Sequence, residues 1–391
     1  MPSLTAVQAV FVAAVVLLFA LSIEALANAP STNPAPCTNC VVGIIPTGSG
    51  TGSAGSDIAY DSANGQLFVS SSDLGSWGVT VINGSTDTVV RTISEGGRPI
   101  GLAYDARNGD VYVANFVGNN VTIINGTSDD VVGSVALPPE PFYIGPTDVV
   151  YDPFNGYLDV VESNPPALLI LDGSTNRVVA NLNFSVDQDA LATNPANGEI
   201  YAASGGVPEL NFHLDVLNGS TGALLSSIVL NGTAYSIAYD TGNGQVYVVA
   251  STFDFNQYYN GTVTELNGAA TRIEGGWGVG QSALGIAYDN SNANLYVTNY
   301  YSANVSILNA TSRVVSGSIS TEGNPGPIVY DAMNRCLYVD HIEALVSILD
   351  PPGGSCPAVP VAALNGPLVL SAGGFVGLVT SVAAYTLRKR Y

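Results

Sequence analysis

The sequence predicts an all-β fold: a seven-bladed β-propeller of four-stranded antiparallel blades, its ring closed by the N-terminal strand, followed by one C-terminal transmembrane helix. Three observations carry this. A Tyr-Asp pair closes an apolar run at Tyr60-Asp61, Tyr104-Asp105, Tyr151-Asp152, Tyr239-Asp240, Tyr288-Asp289 and Tyr330-Asp331, with Thr193-Asn194 as a degenerate seventh, and its second residue recurs every 42 to 49 residues. That is the period of a four-stranded unit. Helical periodicity is absent between the ends, while 43 Gly and 20 Tyr in 391 residues suit short strands with tight turns. Finally, the last copy has no fourth strand of its own, and a strand-like segment without a unit precedes the first copy.

Residues 1–29 hold an apolar run, Val7 to Ile23, then small residues with Ala25-x-Ala27 and Ala27-x-Ala29 as cleavage sites. This reads as a signal peptide, or as an N-terminal membrane anchor because the basic n-region is missing. Residues 30–37 form a Pro-rich leader. The propeller spans 38–356. Its first segment, Thr38 to Thr47, matches the fourth strands at Thr86 to Ile93 and Thr311 to Ile319, so it is expected to complete the last blade and remove the open edges. In five repeats Asn-Gly joins the first two strands, at Asn64, Asn108, Asn155, Asn197 and Asn243, as a tight turn with positive φ requires. The Gly50 to Gly55 segment matches G-x-G-x-x-G, but a strand follows it, so no helix N-terminus would meet a phosphate.

After a linker at 357–366, residues 367–387 are uncharged and, as a helix, reach about 30 Å, the thickness of a bilayer core. Arg388, Lys389 and Arg390 lie in the basic tail, 388–391, which the positive-inside rule makes cytoplasmic. The expected location is the cell surface, with a single-pass anchor and the propeller outside. Gly373 and Gly377 form a weak GxxxG dimerisation signal.

Charge narrows the partners. With 31 acidic residues against 10 basic ones, the surface repels nucleic acid and anionic lipid headgroups. Protein or glycan at the cell surface, and the membrane through the C-terminal helix, remain as partners. Cys37, Cys40, Cys336 and Cys356 are expected to meet on one rim of blade seven. In an exported chain an even count argues for two disulfides, and a bridge from the N-terminal strand to Cys336 or Cys356 would hold the ring shut. A four-thiolate metal site is the sharper alternative. Glycosylation sequons stand at Asn83, Asn120, Asn125, Asn183, Asn218, Asn231, Asn260, Asn304 and Asn309; those at Asn83, Asn125 and Asn218 are also Asn-Gly turns.

Tyr296-Val297-Thr298-Asn299, with looser copies at Tyr112-Val113-Ala114-Asn115 and Tyr247-Val248-Val249-Ala250, resembles the signature of the YVTN β-propeller repeat family over residues 38–356. That family includes archaeal surface-layer and cell-surface proteins. The resemblance implies a seven-bladed ring and no catalytic residues. Repeat four departs most from it, at Ile200 to Ala203. The tail is similar to an archaeal C-terminal sorting signal, which implies that the helix is removed.

A residue present in every blade serves the ring, so function is expected in what does not repeat. The loops between strands two and three, and between strand four and the next blade, share the membrane-distal rim. They carry Trp77, Phe142, Tyr143, Phe253, Phe255, Tyr258, Tyr259, Tyr300 and Tyr301, aromatic residues suited to protein or sugar recognition. Catalytic patterns are thin: the two histidines, His213 and His341, fall in different blades, and no G-x-S-x-G occurs. Asp57, Asp148 and Asp189 fall at or beside the position that opens each innermost strand, where carboxylates could hold Ca²⁺ as in lactonase-like propellers. The expected function is a surface-layer, adhesion or recognition module that is not an enzyme and has no cofactor; the alternative is a secreted lactonase-like hydrolase with Ca²⁺ in the central channel.

Overall fold

The computed structural model describes residues 39–47, 57–72, 77–94, 96–138, 145–163, 166–183, 188–204, 212–253, 259–321, 323–343, 345–353 and 356. They form seven four-stranded antiparallel sheets. Six take their strands in chain order. The seventh is assembled from Pro325–Asp331, Cys336–His341 and Leu345–Asp350, with the N-terminal strand Cys40–Pro46 as its outer member. Cys40 pairs with Asp350 and Pro46 with Leu345, so the two ends of the ring meet in one antiparallel ladder.

The strands differ in exposure as a radial stack requires. Outer strands such as Thr88–Ser94 and Val314–Ser320 are mostly exposed, whereas Asn294–Asn299 in blade six is buried at every residue. Second strands are therefore apolar on both faces, each face packing against a different neighbour. Seven apolar clusters fill the joints between blades. The closing joint combines Ile45, Tyr338, Val346 and Ile348 of blade seven with Ile58, Leu67, Val69 and Ile82 of blade one.

Repeated polar residues tie one blade to the next. The Asn of the first turn donates from Nδ2 to a carbonyl in the following blade: Asn64 to Gly126 (2.7 Å), Asn334 to Gly84 (2.8 Å) and Asn292 to Pro352 (3.2 Å). Its Gly takes positive φ, 75° at Gly65 and 78° at Gly109, while Ala293 and Arg335 adopt the same conformation in blades six and seven. At the third-to-fourth turn the positive φ falls instead on Asp87 and Asp129. Gly84 is needed there for close approach, since a Cβ would lie 2.6 Å from the Gly65 carbonyl. The sequons at Asn83, Asn125 and Asn218 are therefore not two-residue Asn-Gly hairpins. Each Asn folds its Oδ1 onto the backbone N–H groups of the turn, as Asn83 does with Ser85 at 2.9 Å.

The expected disulfide across the closing strands is corrected. Cys336 pairs with Cys356, with a Cα–Cα distance of 5.1 Å, inside the carboxyl-terminal part of blade seven. Both are buried in the closing joint, and Cys356 N–H donates to Asp350 at 3.2 Å. Cys40 is also disulfide-bonded, so these residues are not a thiolate metal site; Cys37 lies outside the described residues. The β-ladder, not this bridge, joins the ends of the ring. The apolar runs at 7–23 and 367–387 likewise lie outside the described residues, among which no helix is long and apolar enough to cross a membrane.

Candidate functional site

Four residues before the Asp or Asn of each repeat lies one equivalent position in the innermost strand or just before it: Asp57, Gly101, Asp148, Ala190, Ser236, Gly285 and Pro327. All seven line one cavity of about 320 Å³ at the mouth of the channel. In five blades the ladder breaks register just before or across this position, as between Pro146 and Asp148 and between Ala234 and Ser236. Such bulges re-aim side chains, and here they turn residues toward the channel mouth.

Two acids face each other across the glycine of blade two, where a Cβ on Gly101 would lie 2.8 Å from Asp148 Cα. Asp57 accepts the Ile58 N–H and, from blade two, the Leu102 N–H, both at 2.8 Å. Asp148 accepts the Val149 N–H at 2.8 Å and, from blade four, the Leu191 N–H at 3.2 Å. Each carboxylate thus clamps a neighbouring blade. Burial pushes both above the ordinary carboxylate range, and Asp148 reaches about 8 because the charge of Asp57 adds to burial and outweighs its backbone bonds. Asp189 lies one residue outside the channel position, which Ala190 occupies, and is exposed at the rim. Among the described residues no three His, Cys, Asp or Glu side chains form a group able to hold a metal ion.

Beside Asp189 stands an aromatic cluster. Tyr235, the bulged residue of blade five, is 40 % exposed and Tyr301 is 59 % exposed. Tyr301 lies 5.7 Å from Tyr259 and meets Tyr300 edge-on at 5.0 Å. Tyr235 and Asp189 line the same cavity, and the Tyr235 phenol is raised by burial first, then by the charge of Asp189 and by Tyr259 and Tyr301. The backbone beneath the cluster is tied down, since the N–H groups of Tyr300 and Tyr301 donate to the Ser282 (2.8 Å) and Gln281 (3.2 Å) carbonyls. Of the aromatic residues expected on this rim, Tyr259, Tyr300 and Tyr301 come together. Trp77 is half-buried on a separate loop of blade one. Phe142, Tyr143, Phe255, Tyr258 and the Phe253 side chain lie outside the described residues.

Sequence reading missed Tyr235, because TAYSIAY looks like an ordinary strand. Its signal is comparative: the other blades carry Ser56, Ile100, Thr147, Asp189, Leu284 and Gly326 at that place. Also missed was a Ser204–His213–Asp215 chain. His213 Nδ1 lies 2.9 Å from Ser204 Oγ, and its Nε2 lies 3.2 Å from Asp215. Ser204 is fully buried, and its Oγ accepts the His213 N–H at 3.1 Å, so the group pins two strands of blade four together. His341, in blade seven, is buried, and desolvation lowers it to about 4. Among the sequons, Asn183, Asn231 and Asn260 are exposed. The Nδ2 groups of Asn120, Asn125 and Asn309 instead donate to Ser134, Asp110 and Asn294.

Comparison with solved structures bears out the fold. The chain is similar to Kuenenia stuttgartiensis hydrazine synthase, with TM-score 0.67, 14 % identity, and coverage of 81 % of this chain and 98 % of that one. It is equally similar to a chain of a mitotic checkpoint complex, with TM-score 0.66, 11 % identity, and coverage of 82 % and 95 %. Identities this low speak for the propeller fold alone. No family model and no curated protein sequence matches the chain.

Proposed function

We propose that this propeller is a recognition module of the cell surface, in a surface-layer or adhesion role, which binds protein or glycan through its membrane-distal rim. The observation that carries this reading is the cluster of Tyr235, Tyr259, Tyr300 and Tyr301 beside Asp189 at the channel mouth. Aromatic side chains held in place lose little entropy on binding, and their faces suit sugar rings or apolar side chains, while a nearby carboxylate supplies hydrogen bonds. The YVTN-like repeats, the signal-peptide or anchor segment at 1–29 and the apolar run at 367–387 support an exported, anchored and glycosylated protein of archaeal type. Binding of the purified protein to cell envelopes of its source, untreated, protease-treated or periodate-treated, tests this reading. Saturable binding lost on one treatment supports it and names the partner class, whereas no binding to any envelope contradicts it.

The second reading, a lactonase-like hydrolase with Ca²⁺ in the channel, is favoured by one observation: Asp57 and Asp148 line the same cavity at the channel mouth. A stoichiometric ion that is lost in Asp148→Asn, together with lactone hydrolysis, would favour it over the recognition role.

A further inference from the structure

The repeat places two tyrosines in the joints between blades. One lies in the second strand and reaches the turn of the next blade. Tyr112 donates to the Gly173 carbonyl at 3.1 Å, Tyr201 to Gly268 at 2.8 Å and Tyr338 to Gly84 at 3.1 Å. In blade two Asn108 Nδ2 completes this contact, donating to the Tyr112 hydroxyl at 3.0 Å. The other tyrosine belongs to the first strand of the following blade, and its phenol lies against the repeat's Asp: Tyr104 against Asp61, Tyr151 against Asp105, Tyr288 against Asp240.

At the joint between blades three and four both are missing. Asp159 takes the second-strand position, since it pairs with Val150 as Tyr296 pairs with Ala287. Thr193 takes the first-strand position and donates to the Tyr151 carbonyl at 3.1 Å. The groups those phenols would have met are left over. Asp159 is fully buried, and neither of its carboxylate oxygens has a partner; Asp152 Oδ2 and Asn155 Nδ2 are buried and unpartnered as well. Asp152 Oδ2 lies under the turns of blade four, 3.1 Å from where a Cβ on Gly219 would stand and 3.2 Å from one on Gly198. The charge of Asp152 reaches Asp159. Arg107 faces Asp152 from blade two, with its guanidinium bonded to the Pro153 and Phe154 carbonyls. The apolar core here has six buried residues, where the other joints have nine to twelve.

Buried carboxylates without partners are costly unless a positive charge joins them. A proton or a cation can do so, and three buried, unpartnered carboxylate oxygens in one joint are the donor type of a hard divalent ion. We propose that the joint between blades three and four binds a divalent cation of the calcium class, held by Asp159 and Asp152, with Asn155 Nδ2 donating to a water on the ion. The site is separate from the channel mouth and from the tyrosine rim, and it serves to lock two blades where the repeat's own phenols are absent.

The test uses the full-length protein, stripped with chelator and then titrated with Ca²⁺, with bound metal and melting temperature as readouts. One ion per chain and a rise in melting temperature are expected. Asp159→Tyr restores the residue found in Tyr112, Tyr201, Tyr247, Tyr296 and Tyr338; it should lose the ion and the Ca²⁺ response while melting no lower than the stripped parent. If Asp159→Tyr does not fold, Asp159→Asn reads the same loss without a change of size. Asp148→Asn should keep both ion and response. The inference is overturned if no ion binds and Ca²⁺ leaves melting unchanged, if the response survives the Asp159 variants, or if it disappears in Asp148→Asn, which would place the ion in the channel.

Discussion

Arg313 shows how a single side chain joins two blades. Its guanidinium lies 2.9 Å from Glu265, whose side chain is 1 % exposed, and its carbonyl accepts the Trp277 indole N–H at 2.8 Å. Arg313→Ala leaves Glu265 buried and unpaired, so urea denaturation should show a loss of about 3 kcal/mol. Asp148 gives a pH-dependent prediction. Its folded-state pKa, about 8, is above the unfolded value of 3.8, so the folded chain binds more protons between those values and stability falls as pH rises through that window. Asp148→Asn should therefore raise the melting temperature at pH 8, with the gain fading near pH 4. His341 acts in the opposite direction. Its pKa is lowered to about 4 from 6.5, so the unfolded chain binds more protons and stability declines as pH falls between those values. These environments were not legible in the sequence, because an Asp in a strand gives no sign of whether a backbone N–H, a tyrosine or another acid will face it.

At the scale of the strand, the repeat was legible and the cross-links were not. Tyr-Asp pairs, Asn-Gly turns and a homeless N-terminal strand are local patterns with a fixed period, so blade count and closure follow from them. Disulfide connectivity does not, since cysteines gathered on one rim allow several pairings. The observed pairing separates two roles that the sequence merges. Removing residues 40–46 takes away the whole outer strand of blade seven and exposes Leu345–Asp350 as an edge, so the shortened chain should lose cooperative thermal unfolding or aggregate. Replacing Cys336 and Cys356 by Ser removes a bridge across 20 residues and should cost about 2–4 kcal/mol while leaving a closed, monomeric ring by light scattering.

At the scale of the molecule, repetition sorts the residues by role. Tyr288, Asn292 and Tyr296 recur because most joints use them, and the structure shows each facing a neighbouring blade or its own turn. Tyr235 and Tyr301 do not recur, and both are exposed, with Tyr235 beside Asp189 in the lining of the channel mouth. The sequence located part of this rim because loops that break the pattern stand out. It missed Tyr235 because a bulge, which no residue type announces, turns one strand residue outward. The most direct test of this division compares Tyr300→Ala/Tyr301→Ala with Tyr288→Phe for envelope binding and for melting temperature. The rim variant should lose binding at least tenfold, about 1.4 kcal/mol or more, with melting unchanged, while Tyr288→Phe should lower melting and leave binding intact. Binding that survives the rim variant, or falls only with Tyr288→Phe, would contradict the account.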